Sequence, residues 1–331
     1  MINFLKRVKQ RLAGSQPQHS SIQAPTAEAV PANSPQLEVD AGTINALQRN
    51  LLYIKFAPPG HYYSPLPELA ELRASQDRIF NRTKKQLLRG INIDDEMMLG
   101  YLEKFKKFYP DFPFEDQKKE PLRFWMDNGV YSRGDAILLY SMMRYLKPKR
   151  IVEAGSGMSS CLMLDVNELF LNNSVNLTFI DPYPERMLSM VHPEDVPRIN
   201  VLHKKLQEID LKIYEDLEPN DIAFFDSTHV SKCDSDVNFI FFEILPILKP
   251  GVFIHFHDTF YPFEYPKEWL LDIGAAWNET YVLRSFLEFN TAFEIVFFCD
   301  YLAIFHRDQI RATLPRFLDG PGGSIWLRRI A

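Results

Sequence analysis

The stretch KRIVEAGSGMSSCLML, residues Lys149 to Leu164, predicts the first unit of an α/β fold. It reads as a buried strand ending at Glu153, then a glycine turn, then a helix whose first residues include serines. Gly155 and Gly157 let the backbone approach a ligand closely, because a Cβ at either position would occupy that space. The free N–H groups of the helix start face the same turn. The stretch fits a ligand-binding turn, and it also fits an ordinary strand–turn–helix junction.

One position of this turn argues against a dinucleotide site. The pattern G-x-G-x-x-G requires a third glycine where Ser160 stands. The remaining E-x-G-x-G pattern resembles motif I of the class I S-adenosylmethionine (SAM)-dependent methyltransferases. In that family the glycine turn packs against the methionine part of the cofactor. The resemblance implies SAM as the cofactor and, as its contacts in this turn, Glu153, Gly155, Ser156, Gly157 and Ser159.

The next two strands supply the other expected cofactor contacts. Residues 175–180 form a predicted strand with Asp181 at its carboxyl end, where doubly wound sheets place an acid on the ribose hydroxyls. A strand-end aspartate is also a common turn residue. The following Pro-Tyr-Pro step is rigid and sets Tyr183 as a wall for the adenosine. By the resemblance, the loop after the third strand (199–202) passes beside the adenine and adds Leu206 and Gln207.

Two later motifs carry the rest of the resemblance. The predicted fourth strand, 221–225, ends in Asp226-Ser-Thr-His229, and an L-K-P-G turn at 248–251 opens the fifth strand, which ends in His257-Asp258. The chain resembles most the small-molecule and sugar O-methyltransferase-like group, which has D-x-x-H after strand four and H-D after strand five. The match covers about residues 126–331.

The fold class that follows is α/β and Rossmann-like. We expect a seven-stranded, mostly parallel sheet with an antiparallel C-terminal strand, plus an N-terminal helical extension. The final strands are predicted at 293–305 and 324–330. The domains are expected to be a disordered tail over 1–40, a helical cap over 41–120 and a SAM-dependent methyltransferase domain over 121–331.

The tail begins with a short basic amphipathic segment. Its apolar residues recur at helical spacing among four basic residues, over 1–14, and Ser, Gln, Pro and Ala dominate from 15 to 39. A weak contact with a membrane surface is one expectation for the first segment, and a solvated, frayed helix is the other.

Composition limits the remaining classes. Hydrophobic residues make up 46% and charged residues 24% of the chain, as in ordinary soluble proteins. A formal net charge of −6 with no basic, aromatic stripe gives no sign of nucleic-acid binding. The three cysteines have neither metal nor disulfide spacing, so a reducing compartment is favoured. With no apolar run long enough for a span and no secretory signal, the expected location is the cytoplasm.

The ends of strands four and five are expected to form the reaction centre. Strands four and five are neighbours in this fold, so their ends bring four side chains together: Asp226, His229, His257 and Asp258. Methyl transfer from a sulfonium is an in-line displacement, and a hydroxyl acceptor must also lose its proton. A histidine base or a divalent metal serves that purpose.

Two mechanisms stay open on the sequence, besides a purely loop-fixing role. Asp226 and Asp258 fall on the metal-ligand positions of metal-dependent O-methyltransferases, but Thr259 replaces the usual next Asn or Asp. Oxygen ligands suit Mg²⁺ or Ca²⁺, and a histidine ligand favours Mn²⁺. The metal-free mechanism uses His229 or His257 as the base, with Asp226 also in the catalytic set.

The sequence therefore predicts a SAM-dependent methyltransferase. The expected reaction is O-methylation of a hydroxyl on a small metabolite or on a sugar or glycan. A metal-dependent oxygenase or hydrolase on the same fold is a second possibility, and a non-catalytic SAM-binding protein is a third.

Overall fold

One seven-stranded sheet organises the computed structural model, which describes residues 41–82 and 85–331. Its strand order is β3-β2-β1-β4-β5-β7-β6. The strands are β1 Arg150–Ala154, β2 Asn176–Ile180, β3 Ile199–Leu202, β4 Ile222–Phe225, β5 Phe253–His257, β6 Phe293–Phe298 and β7 Ser324–Arg329.

The pairing confirms the predicted mixed sheet. Strands β3, β2, β1, β4 and β5 pair in parallel, whereas β7 runs antiparallel to both β5 and β6. The chain reverses its direction along the sheet between β1 and β4. The carboxyl ends of these two neighbours, at Ala154 and Phe225, therefore open a crevice for a ligand.

The described residues also form helices and helical turns. The α-helices are α1 Ala41–Arg49, α2 Leu51–Phe56, α3 Leu69–Ala74, α4 Gln76–Ile79, α5 Asp95–Lys106, α6 Arg133–Leu146, α7 Met158–Leu171, α8 Glu185–Leu188, α9 Lys212–Glu215, α10 Asp236–Phe239, α11 Leu245–Ile247, α12 Glu279–Leu287, α13 Cys299–Phe305 and α14 Arg307–Thr313. Wider π-type turns occupy Ile240–Ile244 and Trp269–Ile273.

Helix α6 shows how local sequence sets these boundaries. Ser132 caps it by accepting a hydrogen bond from the backbone N–H of Asp135, and Lys147 ends it in the left-handed conformation just before a proline. Most of its side chains are buried, because α6 packs against α7, against α5 and against the turn Pro315–Asp319.

Two predicted elements are shorter than expected. The strand predicted over 293–305 ends at Phe298, and 299–305 is α13 instead, where the buried Asp300 accepts the backbone N–H of Tyr261. In the helical cap predicted over 41–120, helix α5 begins only at Asp95, because Gly90 takes a positive φ and Asp94 caps the helix start by accepting a hydrogen bond from the N–H of Met97.

The chain divides after Pro58 into two compact units. The first contains α1 and α2, and the second, from Pro59 to Ala331, contains the sheet. The boundary predicted at 120 between cap and catalytic domain falls inside the second unit. The predicted tail over 1–40 lies outside the described residues. Among residues 41–82 and 85–331, no helix has the length and apolar character that a membrane span requires.

Candidate functional site

The glycine turn after β1 is set by a close approach to β4. Gly155 has a φ of +84°, and a Cβ on it would lie 1.8 Å from the carbonyl oxygen of Asp226. The Asp226 N–H in turn donates to the carbonyl of Ala154 at 3.0 Å. No side chain fits at Gly155, so the turn holds the ends of β1 and β4 in contact.

Asp181 ties the ends of β1 and β2 together. Its Oδ2 accepts hydrogen bonds from the backbone N–H of Ser156 at 3.1 Å and from the Ser156 hydroxyl at 2.6 Å. Its Oδ1 accepts the N–H of Tyr183 at 2.8 Å. A carboxylate offers about four acceptor positions, so these three bonds leave one for a ligand.

A cavity of about 540 Å³ opens beside this turn. Six of the predicted cofactor contacts line it: Gly155, Ser156, Asp181, Tyr183, Leu206 and Gln207. Further lining residues come from the ends of β4 and the following loop, and Asp226 is among them. The cavity thus joins residues that follow four different strands, β1 to β4.

Three predicted cofactor contacts are not on the wall of this cavity: Glu153, Gly157 and Ser159. Glu153 is fully buried and accepts hydrogen bonds from the hydroxyls of Ser159 and Ser160. Burial raises the pKa of Glu153 to about 8, although the two serine hydroxyls act in the opposite direction. Gly157 donates its N–H to the Ser160 hydroxyl at 3.0 Å and has open space where a Cβ would stand.

The predicted reaction centre is assembled at the ends of β4 and β5. Asp226, His229 and Asp258 offer ligand atoms that all lie within 4.8 Å of one another. The Nε2 of His229 is 3.5 Å from Asp226 Oδ1 and 3.4 Å from Asp258 Oδ2. His229 is buried, and the two aspartates keep part of their surface open. An arrangement of one imidazole and two carboxylates is a suitable divalent-cation site.

Glu279 is a member of this centre that the sequence analysis missed. Its Oε2 lies 2.7 Å from His229 Nδ1, and the N–H groups of Asn278 and Glu279 both donate to the His229 carbonyl at 3.1 Å. Glu279 opens α12 and stands 50 positions after His229, where an acid in a first helical turn is commonplace. No local pattern distinguished it.

The carboxylates control the charge of His229. Burial alone lowers the pKa of His229, but hydrogen bonds to Asp226 and Glu279 outweigh burial and raise it to about 10. Burial raises the pKa of Asp226, yet His257 and His229 more than reverse this and bring it to about 2. Burial also raises the pKa of Asp258 and of Glu279. The centre therefore holds a cation among several acids.

His257 lies at the edge of the cluster. Its Nε2 is 3.7 Å from Asp258 Oδ1, and its Nδ1 is 3.3 Å from the Nε2 of the fully buried His255. The ring of Tyr131 stacks on His257 with centroids 5.1 Å apart. The buried Tyr131 hydroxyl has no hydrogen-bond partner in the described part of the chain. Tyr131 is a second residue of the centre that the sequence analysis did not assign.

Aromatic side chains form one wall of the centre. The Trp277 ring lies 4.7 Å from the His229 ring, and Trp269 packs edge-on against Trp277 at 5.4 Å. Phe260, two residues after Asp258, packs edge-on against Trp269 at 5.3 Å. All three rings are partly exposed, so they present an apolar face beside the polar cluster.

Comparison with known proteins identifies the central segment. A family model described as a methyltransferase domain matches residues 152–259, which run from β1 to just after β5. An uncharacterised protein of Archaeoglobus fulgidus is 33% identical over an alignment of 174 positions that covers 51% of this chain and 77% of that protein.

Three solved structures illustrate the similarity of this chain to known proteins. The SAH-bound methyltransferase PaMTH1 of Podospora anserina is 15% identical with a TM-score of 0.41, over 81% of this chain and 98% of that one. The O-methyltransferase TomG of Streptomyces achromogenes, in complex with SAM, is 13% identical with a TM-score of 0.39, over 79% of this chain and 96% of TomG. The Mg-SAM form of CmcI is 17% identical with a TM-score of 0.36, over 61% of this chain and 73% of CmcI. Similarities of this size support no conclusion about function.

The family follows from the domain match and the architecture together. The matched segment contains the glycine turn, Asp181 and the Asp226 cluster, and the sheet adds its antiparallel β7 beside β5. The chain belongs to the class I SAM-dependent methyltransferase family.

Proposed function

We propose that this protein transfers the methyl group of SAM to a hydroxyl oxygen of a small metabolite or of a sugar or glycan. One observation carries the proposal: Asp226 lines the cavity beside the glycine turn and also belongs to the cluster with His229 and Asp258. A cofactor in that cavity has its reactive end next to groups that hold and deprotonate an acceptor.

The adenosine end of SAM is assigned to Asp181, Tyr183, Leu206 and Gln207. The free acceptor position of Asp181 faces a ribose hydroxyl, and Tyr183 is 78% exposed, so its ring is free to cover the adenosine. The sulfonium is a cation, and the acids at the strand ends favour it electrostatically.

The residues present fit a divalent metal. Glu279 accepts from His229 Nδ1, so Nε2, which faces Asp226 and Asp258, would bind a metal after releasing the proton that the raised pKa of His229 keeps there otherwise. A carboxylate behind a ligating histidine in this way fixes its tautomer and orientation. Thr259, which stands at the family's third-ligand position, is buried with its hydroxyl near the carbonyl of His257. His229 would then supply the third ligand, and this donor set would favour Mn²⁺ over Mg²⁺.

A bound metal of this kind lowers the pKa of an acceptor hydroxyl and orients it. The protein side chains have two further roles. Asp226 belongs to both the cavity and the cluster and so sets the acceptor beside the cofactor, and Trp277 with Trp269 shields the centre from water. A metal-free mechanism with His229 as base is disfavoured, because a histidine with a pKa of about 10 already carries its proton at neutral pH. His257 remains the base in a metal-free mechanism.

No specific contact among the described residues favours a metal-dependent oxygenase or hydrolase, or a non-catalytic SAM-binding protein. Cys161, Cys233 and Cys299 are free thiols, which supports the proposed cytoplasmic location.

The test is a screen for S-adenosylhomocysteine release from SAM with phenols, sugar nucleotides and free glycans, with Mn²⁺ and after chelation. We expect turnover with a hydroxyl acceptor that chelation abolishes and Mn²⁺ restores. Turnover that is unchanged by chelation contradicts the metal assignment. Methylation of amines or thiols in preference to hydroxyls contradicts the assignment of the acceptor.

A further inference from the structure

The aromatic side chains beside His229 continue into a larger group of rings. Tyr265 contacts both tryptophans of the reaction centre, with ring centroids 6.4 Å from Trp269 and 6.0 Å from Trp277. The Tyr265 ring lies at 19° to Trp269 and at 79° to Trp277, and Trp269 lies at 83° to Trp277. Tyr281 is at 84° to Tyr265, with centroids 6.0 Å apart. We call Tyr265, Trp269, Trp277 and Tyr281 the aromatic group.

The aromatic group combines one buried ring with exposed ring surface. Tyr265 is 2% exposed, whereas Tyr281 is 42% exposed and the two tryptophans are partly exposed. Each ring face carries a partial negative charge, and rings at right angles present such faces from two directions. Proteins bind substituted ammonium ions with ring arrangements of this kind. The aromatic group is therefore suited to a cationic ligand.

A carboxylate is hydrogen-bonded to the aromatic group. Glu264 Oε1 accepts hydrogen bonds from the Tyr281 hydroxyl and, at 3.1 Å, from the N–H of Tyr265. Across residues 41–82 and 85–331, Glu264 has no ion-pair partner, and it is partly exposed. It is also separate from the three proposed metal ligands, which are Asp226, His229 and Asp258. Its negative charge is therefore available to a ligand at the rings.

The loop that carries the aromatic group is acidic. Residues 258–281 contain five acids, at positions 258, 264, 268, 272 and 279, and one basic residue, Lys267. Three arginines from neighbouring segments already have partners in the described chain: Arg73 with the Leu271 carbonyl, Arg82 with Asp300 and Arg284 with Glu288. Arg82 also lies near Glu268, so Glu264 is the acid of this loop that we assign to the ligand. A cationic ligand at the rings meets mostly opposite charge, and an anionic one meets mostly like charge.

We propose that Glu264 and the aromatic group bind a positively charged amine of the methyl acceptor. The acceptor is then a hydroxyl compound that also carries a protonated or quaternary amine, such as an amino alcohol, an amino sugar or a phenolic amine. This assignment rests on the proposed O-methylation and names the substrate class of that reaction.

The position of the aromatic group links the amine to the reaction centre. The Trp277 ring lies 4.7 Å from the His229 ring, and the Tyr265 hydroxyl accepts the N–H of Thr280, next to Glu279. An amine held at the rings therefore places a hydroxyl of the same molecule beside the centre. A protonated or quaternary nitrogen has no free lone pair, so it is not methylated. The bond from sulfur to methyl in SAM breaks, a bond from that methyl to the acceptor oxygen forms, and the hydroxyl proton passes to water or to a base of the centre.

The first experiment compares two ligands of equal shape by calorimetric titration of the full-length protein. Choline is a quaternary amino alcohol, and dimethylbutanol is its uncharged isostere, in which carbon replaces nitrogen. We expect choline to bind about tenfold more tightly than dimethylbutanol. Glu264→Gln keeps an acceptor for the Tyr281 hydroxyl and should reduce that ratio to about threefold or less. Trp277→Leu should weaken choline binding about fivefold or more.

A matched control separates Glu264 from negative charge in general. Glu243 is exposed and lies in the turn Ile240–Ile244, outside the acidic loop. Glu243→Gln removes one negative charge, as Glu264→Gln does, and should keep the ratio of about tenfold. Both variants should keep the thermal midpoint of the unaltered protein, because neither residue is buried.

The second experiment measures S-adenosylhomocysteine release with two series of acceptors whose members differ in charge. One series is tyramine, tyrosol and hydroxyphenylacetate, and the other is glucosamine, N-acetylglucosamine and glucuronate. In a series that turns over, kcat/KM should be at least about tenfold higher for the amine than for the neutral or acidic member. Glu264→Gln should remove most of this preference.

Three outcomes overturn the proposal. One is equal affinity of the unaltered protein for choline and dimethylbutanol. Another is a preference for choline that Glu264→Gln leaves unchanged. The third is methylation of a neutral or acidic acceptor as fast as that of its amine counterpart, which leaves the proposed function standing. Conversely, a preference for choline that depends on Glu264, in a protein that does not bind SAM, contradicts the proposed function and leaves the amine site standing.

Discussion

The carbonyl oxygen of Asp226 occupies the space in which a side chain at Gly155 would begin, 1.8 Å from the ideal Cβ position. This contact joins the glycine turn after β1 to the residue that the cavity and the reaction centre share. The position of the cofactor turn and that of the reaction centre are therefore not independent.

The two glycines of the turn are expected to respond differently to substitution. Gly155→Ala introduces a clash with backbone at a φ of +84° and should destabilise the fold by about 1–3 kcal/mol or more. Gly157→Ala meets nothing within 4 Å and has an extended φ, so stability should be unchanged. If SAM passes this turn, Gly157→Ala weakens SAM binding about tenfold by crowding the cofactor. Thermal melting and calorimetric titration measure the two effects, and normal SAM affinity in Gly157→Ala would contradict the predicted contact between Gly157 and SAM.

Removing the charge of Asp226 should stop the reaction without emptying the cofactor site. Asp226→Asn is expected to lower kcat at least about a hundredfold, since it alters the cluster with His229 and Asp258. SAM affinity should stay within a few-fold. Asp234→Asn is the matched control, because Asp234 also lines the cavity but lies outside the cluster. Loss of SAM binding in Asp226→Asn would show that Asp226 is structural.

Glu279 is predicted to act as a positioning residue through His229. Glu279→Ala should weaken Mn²⁺ binding about 10–100-fold, because His229 loses the partner that fixes its tautomer. Glu279→Gln keeps an acceptor at the same place and should recover part of that loss. Glu288→Gln, just after the same helix, serves as the control. Equal Mn²⁺ affinity in all four proteins would exclude the positioning role.

Most of the site residues that the sequence predicts lie at the ends of strands. The glycine turn, Asp181, Asp226 and Asp258 each follow a strand with a clear apolar pattern, and parallel strands bring such positions to one edge. The sheet and its antiparallel end were predictable for the same reason. The strand predicted over 293–305 was too long because apolar residues continue past Phe298 into a buried helix, which periodicity does not distinguish.

The contacts that complete the site depend on tertiary structure. Glu279 meets His229 only because α12 packs behind the β4 loop, and Tyr131 meets His257 only because the loop before α6 reaches β5. Neither residue belongs to a local motif. The contact of Glu153 with the cofactor stays a prediction. The hydrogen bonds that its carboxyl accepts from two serines of α7 are a detail that a strand–turn–helix pattern does not reveal.

The buried Glu153 should make stability depend on pH. Its folded-state pKa of about 8 lies above the ordinary value of 4.5, so the unfolded chain releases this proton first as pH rises. The contribution of Glu153 to stability is therefore greatest below pH 4.5 and decreases as pH rises towards 8, by about 4 kcal/mol in total. Glu153→Gln should show a flatter profile between these values. Urea unfolding across this range tests it, and parallel profiles for the two proteins would contradict it.

The central claim is that the cavity beside Gly155 and Asp181 binds SAM, and calorimetric titration of the unaltered protein tests it most directly. The titrations use SAM and NADH, each with Mn²⁺ and after chelation. The account predicts micromolar binding of SAM to a single site, no binding of NADH and a change in SAM binding on addition of Mn²⁺. Binding of NADH, or no binding of SAM under either condition, would contradict it.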